Sequence, residues 1–202
     1  MKNKIFFLLI LFIIIFSLIY IFFIKNTAKN SNIGNTNNSQ EIVDKILNIS
    51  SYEAKIEMEV HSNKNINKYI IKQNYIDKEN NSQEVLEPSN IQGVVIQKEN
   101  SKLTLKNTKL NLVTVFEDYK YLAENEIDLC TFINDYKTNN SSKYYEENYY
   151  IIMKTKSTRE NKYLNNKELY IDKKSQKPTK MTINSDNKKE AIYISYNEVK
   201  IN

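Results

Sequence analysis

The sequence predicts an α+β domain, an antiparallel sheet interrupted by short helices, behind one N-terminal transmembrane helix. Three observations predict this. An uncharged apolar run of membrane-spanning length stands near the start. Strict apolar/polar alternation then recurs in short segments between polar turns, the signature of half-buried antiparallel strands. A helical apolar period replaces it where the domain begins and again in the middle of the chain.

Ile5 to Ile24 reads IFFLLILFIIIFSLIYIFFI and carries no charge. Twenty residues at ~1.5 Å each span ~30 Å, the thickness of a bilayer core. Lys2 and Lys4 precede the run, so the positive-inside rule places residues 1–4 in the cytoplasm and the remainder outside. Bulky Phe22, Phe23 and Ile24 abut Lys25, which disfavours cleavage by signal peptidase. The expected localisation is a single pass of the cell membrane, the forespore membrane included. Residues 25–40 are Asn-rich and nearly without apolar side chains, the composition of a flexible linker. Residues 41–202 form the outer domain.

Within that domain, Ile42, Val43, Ile46 and Leu47 share one face of a short helix over Glu41–Ile49, with Ser39 placed as its N-cap. Tyr52, Ala54, Ile56, Met58 and Val60 then alternate with charged residues as a strand. Further strands are expected at Asn67–Ile76, Gln83–Leu86, Gly93–Gln97 and Lys102–Lys106. Leu112, Val115, Phe116, Tyr119, Leu122 and Ala123 match a helical period, and Leu129, Phe132, Ile133 and Tyr136 match a second. Strands resume at Tyr149–Lys154, Glu168–Lys173, Pro178–Ile183 and Ala191–Tyr196. Ile192, Ile194 and Tyr196 share one face while Val199 and Ile201 share the other, so a bulge is expected near Asn197. With only two glycines, turns fall to asparagine, expected at Asn80–Asn81, Asn139–Asn140 and Asn165–Asn166.

Composition excludes several functions. The formal charge of +5 is dispersed, and Lys2 and Lys4 belong to the cytoplasmic tail, so there is no nucleic-acid footprint. The one histidine, His61, ends a strand, and the one cysteine, Cys130, sits on a helix between apolar neighbours. Neither has partners for a nucleophile, a base or a metal. Glu53, Glu57 and Glu59 read as a solvated strand face. No catalytic, cofactor or metal residues are assigned, no cofactor is expected, and the chain reads as a non-enzyme. Tyr144, Tyr145, Tyr149 and Tyr150 flank a hairpin turn at Glu146–Asn148 and place rings on both sheet faces. They are the candidate partner surface.

The segment QEVLEPSNIQG at Gln83–Gly93 resembles the LolA-like lipoprotein-carrier superfamily. The likeness continues through KLTLKNTKLNL, VFEDYKYLAENEIDL, FINDYK and LYIDKKSQKPTKM to the terminal YNEVKIN. This longer series most resembles the GerS germination lipoproteins of spore formers, over Ile42 to Asn202. The resemblance implies a half-barrel sheet around helices and a non-enzymatic role beside an N-acetylmuramoyl-L-alanine amidase that modifies cortex peptidoglycan. The family's lipobox cysteine is missing here, and the transmembrane segment Ile5–Ile24 stands in its place. The expected function is therefore an anchored partner or activator of a peptidoglycan amidase in sporulation or germination. The alternatives are a lipid or lipoprotein carrier, which a permanent anchor opposes, and an envelope-stress sensor, for which residues 1–4 offer little signalling segment. Phe116, Leu122, Phe132 and Ile133 are expected to fill the space a carrier would leave empty.

Overall fold

The computed structural model describes residues 36–62, 64–77, 79–118, 126–158, 165–185 and 191–202. Residues 5–24 and the transmembrane expectation lie outside that range. Among the described residues no helix is long and apolar enough to cross a membrane. Residues 25–35 of the expected linker also lie outside it.

Helix α1 spans Thr36–Leu47. Strands follow at β1 (Tyr52–His61), β2 (Ile66–Tyr75), β3 (Asn80–Glu87), β4 (Val94–Glu99), β5 (Lys102–Asn107) and β6 (Leu112–Phe116). Helix α2 (Leu129–Thr138) precedes β7 (Lys143–Glu147), β8 (Tyr150–Lys156), β9 (Asn166–Asp172), β10 (Lys177–Asn184) and β11 (Ala191–Ile201). All eleven strands form one antiparallel sheet in the order β6-β5-β4-β3-β2-β1-β11-β10-β9-β8-β7. Every neighbour in that order except β1–β11 is a sequential hairpin or meander. The β1–β11 pair joins the two halves of the chain along ten register positions, from Tyr52 opposite Ile201 to His61 opposite Ala191.

Alternation decides the inner face. Ala54, Ile56 and Met58 of β1, Ile151 and Met153 of β8, Leu169 and Ile171 of β9, Met181 and Ile183 of β10, and Ile192 and Ile194 of β11 enter one core. Ile42, Val43 and Ile46 of α1 and Leu129, Phe132 and Ile133 of α2 complete it. Each element buries one stripe or face, which is why sheet and helices need each other. The expected bulge is present. Ile56 pairs with Tyr196 but Lys55 pairs with Glu198, so Asn197 is the extra residue and the apolar phase switches to Val199.

Three expectations change. Helix α1 begins before Glu41, so Ser39 is not a cap; its hydroxyl is buried inside the helix and donates to Glu146 Oε1 at 2.6 Å. The first mid-chain helix is replaced over Leu112–Phe116 by strand β6, paired with β5 from Leu103–Phe116 to Asn107–Leu112. An L-V-T-V-F run is apolar in every phase, so it fits a helical period without requiring one, and its β-branched residues favour the extended chain. Phe116 therefore leaves the core it was expected to fill, and Leu122 lies outside the described residues. The expected turn at Asn139–Asn140 is present, closed by the Ser142 amide donating to the Asn139 carbonyl at 3.0 Å, but the asparagines that take glycine's left-handed conformation are Asn100, Asn111 and Asn148, with φ of 55°, 53° and 52°. Asn80 and Asn81 instead open β3, and Asn166 opens β9. Gly93, at φ +82°, is required: a Cβ there would collide with Thr108 Oγ1.

Candidate partner surface

The four predicted tyrosines separate by strand phase. Tyr144 pairs with Met153 and faces inward, packed partly against the core, with its hydroxyl donating to Gln40 Oε1 at 3.0 Å. It fastens β7 to α1, together with Glu146, which accepts from Ser39 and from Lys173 Nζ, both at 2.6 Å. Tyr145, Tyr149 and Tyr150 are exposed, and Tyr149, at the turn, is 80% accessible. The two-residue turn is Asn148–Tyr149, with Asn148 supplying the left-handed conformation.

On the outer face Tyr145 and Tyr150 have companions that the sequence reading missed. Ile152 stands between Tyr145 and Tyr170 in register and is buried, although it does not belong to the inner core. The Tyr150 and Tyr170 rings meet edge to face at 6.2 Å. Lys154 Nζ lies 4.9 Å over the Tyr145 ring and bridges Glu168 at 2.7 Å. Lys180 Nζ sits 5.1 Å from the Tyr170 ring and 5.7 Å from that of Tyr193. Burial, then the Glu168 carboxylate that accepts from its hydroxyl at 3.0 Å, pushes the Tyr170 phenol up to about 12, so it stays a neutral donor at physiological pH. The hydrogen bond to Glu168 holds the Lys154 ammonium above its ordinary range. The available signal was phase: Tyr170 lies between inward Leu169 and Ile171, and Tyr193 between inward Ile192 and Ile194. Both tyrosines therefore point outward, where a solvated face would carry charge.

The inner face holds buried polar groups with structural partners. Lys167, 0% exposed, pairs with Asp135 at 2.6 Å and with Glu126. Asp135 also accepts from the Thr158 amide at 3.0 Å and hydroxyl at 2.7 Å. This network fixes α2 to β9. At the entrance of α2 the Asp128 carboxylate caps nothing and accepts instead from Gln73 Nε2 of β2, at 3.2 Å, and from Gln83 Nε2 of β3. Desolvation pushes that carboxyl up to about 7. Cys130 is half-buried against the core, and burial pushes its thiol up to about 12, the state of an inert thiol. His61 stacks edge-on against Tyr193 at 4.8 Å and contacts Glu59 at 3.1 Å on the outer face. A cleft of about 230 Å³ opens beside α2 between Ile49, Tyr75, Asp128 and Ile133.

An open antiparallel sheet with helices against one face and a filled core between them defines an α+β domain with an aromatic outer surface. The chain belongs to the sporulation protein YdcC-like family, whose model matches residues 1–202. A comparison with curated protein sequences gives no match. Among solved structures, a conserved protein from Thermus thermophilus aligns with 81% of this chain and 87% of its own at 13% identity and a TM-score of 0.51. A LolA superfamily protein from Nitrosomonas europaea aligns over 81% of this chain and 93% of its own at 12% identity and a TM-score of 0.43. A chain from the structure of the CwlD amidase of Clostridioides difficile in complex with the GerS lipoprotein aligns over 81% of this chain and 89% of its own. Its identity is 23% and its TM-score 0.46.

Proposed function

We propose that this chain is a membrane-anchored, non-enzymatic extracytoplasmic binding protein of sporulation or germination, and that its partner is a peptidoglycan amidase. Membership of a sporulation family and the GerS-like order of sequence segments support the setting. The observation that carries a protein-binding role is the outer-face cluster of Tyr145, Tyr150 and Tyr170 around buried Ile152, extended to Tyr193 through Lys180. Rigid aromatic side chains give large contact area at low entropic cost, and the lysines over them add a polar rim. Ile5–Ile24 acts as the uncleaved anchor in this reading and keeps the domain near co-localised partners.

The test is capture from sporulating cells. Full-length chain and its Tyr145→Ser/Tyr149→Ser/Tyr150→Ser variant are crosslinked in membranes and recovered. The amidase should follow the wild type and be lost from the variant at an unchanged melting temperature. Equal capture by both, or peptidoglycan hydrolysis by the purified chain, rejects the proposal. Mass spectrometry of the extracted chain should find Met1 or Lys2 at its start.

A lipid carrier is the second reading, favoured by Ile96 and Leu105, which lie exposed on the inner-phase side of β4 and β5. The cleft beside α2 falls below the ~300–1,000 Å³ of ordinary ligand pockets. Saturable binding of a fluorescent fatty acid, abolished by Leu105→Asp, would favour the carrier.

A further inference from the structure

Strand β6 ends the sheet on one side and β7 ends it on the other. The two edges differ in chemistry. β7 reads KYYEE, and charges on an edge strand are the usual protection against pairing with another chain. β6 reads LVTVF, with no charge and no proline, and all five residues are exposed. Leu112 and Val113, on opposite faces of the strand, are each 60% accessible. A strand apolar on both faces has the composition of a sheet interior, yet among the described residues its only ladder partner is β5.

The order of its residues says what fits beside it. We propose that β6 pairs antiparallel with β6 of a second copy, about a twofold axis through Thr114, joining two eleven-stranded sheets into one. The strand is a palindrome in hydrophobic pattern about Thr114. In that register Leu112 faces Phe116 of the second copy, Val113 faces its Val115, and Thr114 faces its Thr114. Directly opposed residues of an antiparallel pair share a sheet face. Inner-phase residues therefore meet inner-phase residues on both sides of the axis, and outer-phase residues meet outer-phase ones. The flanking positions oppose Asn111 to Glu117 and Leu110 to Asp118, so no like charges face each other. An isologous contact needs this self-complementarity and closes at two copies. Pairing β6 with the β7 edge of another copy would set outer-phase Val113 and Val115 against Lys143, Tyr145 or Glu147, and would propagate without closing. A five-residue ladder is small, so the pairing draws strength from confinement of both copies to one membrane, which rests on the anchored reading above.

Site-specific crosslinking of the full-length chain in its membrane tests this, in a Cys130→Ala background. Opposed Cβ atoms at a twofold-related position lie about 4.5–5.5 Å apart, close enough for a small adjustment to form a disulfide. Under mild oxidation Thr114→Cys should yield at least tenfold more covalent dimer than Tyr149→Cys, an equally open position near the other edge. Val113→Cys and Val115→Cys chains expressed together should crosslink to each other more than either does to itself. Thr114→Lys places like charges opposite each other and should abolish dimer in light scattering of the solubilised chain, at an unchanged melting temperature. The proposal is overturned if Thr114→Cys gives no more dimer than Tyr149→Cys. Equal self-crosslinking of Val113→Cys, or products carrying a different protein, overturn it too. Fractionation of the same cells reports the anchor separately, so loss of membrane attachment is distinguishable from loss of pairing.

Discussion

Strands β8–β11 and strands β3–β6 belong to one continuous ladder, but among the described residues only the first group packs against α1 and α2 in the core cluster. In β9, Leu169 and Ile171 disappear beneath α1 and α2 while Glu168 and Tyr170 stay outside. In β4 and β5, Ile96 and Leu105 occupy the same inward phase and remain exposed, and no described residue of β3–β6 joins the core cluster. Strand pattern is thus the same in both halves; Leu103 of β5 is buried too, but outside the core cluster that α1 and α2 complete. One wing is a folded core, and the other is a sheet extension held by its ladder and by a seam. That seam is polar. Asp128, at the start of α2, is hydrogen-bonded to Gln73 and Gln83, so β2 and β3 are tied to that helix.

The comparison breaks most readily at the covered half. Phe132→Ala removes a fully buried ring from the meeting of α2 and the sheet and should cost about 4 kcal/mol in urea unfolding of residues 39–202. A loss below about 1 kcal/mol would mean the core lies elsewhere. Lys167→Met removes the cation paired with the buried Asp135 carboxylate and should cost about 3 kcal/mol. The exposed Lys102–Glu117 pair, at 3.1 Å on the wing, should give no measurable change when Lys102→Met is made.

The seam gives a smaller, pH-dependent effect. Asp128 binds its proton more tightly folded than unfolded, with its carboxyl raised from 3.8 to about 7. Its contribution is therefore fully present below about pH 4 and is lost as pH rises through about 7. Full desolvation would make this about 4 kcal/mol, and the solvent contact the residue retains reduces it to about 2 kcal/mol. Asp128→Asn should flatten the stability profile between those limits, as measured by urea midpoints across the pH range. An unchanged slope would show that the carboxyl is solvated. Smallest is Leu112→Ser on the bare edge. It should move the midpoint by less than about 0.5 kcal/mol, while lowering any concentration-dependent association seen by light scattering.

Much of this was legible from periodicity. The alternation of Tyr52 to Val60, the Asn197 bulge and the helical stripe from Leu129 to Tyr136 each match the structure, because a half-buried element writes its own period into the chain. Cys130 and His61 also take structural places, with the thiol against the core and the imidazole against Tyr193. The LVTVF run was misread because apolar residues on both faces of a strand show no alternation, and only pairing with β5 through the Asn111 turn makes it a strand.

By itself the sequence determined the fold class, the one-sided burial of most strands and the division between an apolar N-terminal run and a β-rich domain. These depend on the order of apolar and polar residues, which is local. Tertiary structure alone decided that Tyr144 turns inward while Tyr145 and Tyr150 meet Tyr170 outside. It alone brought Asp128 to Gln73 and Gln83, and Lys167 to Asp135. It also left β6 at an edge with a pattern suited to an interior. Such outcomes depend on which strands become neighbours, and the β1–β11 ladder that sets this joins residues some 140 positions apart, a distance no local period can encode.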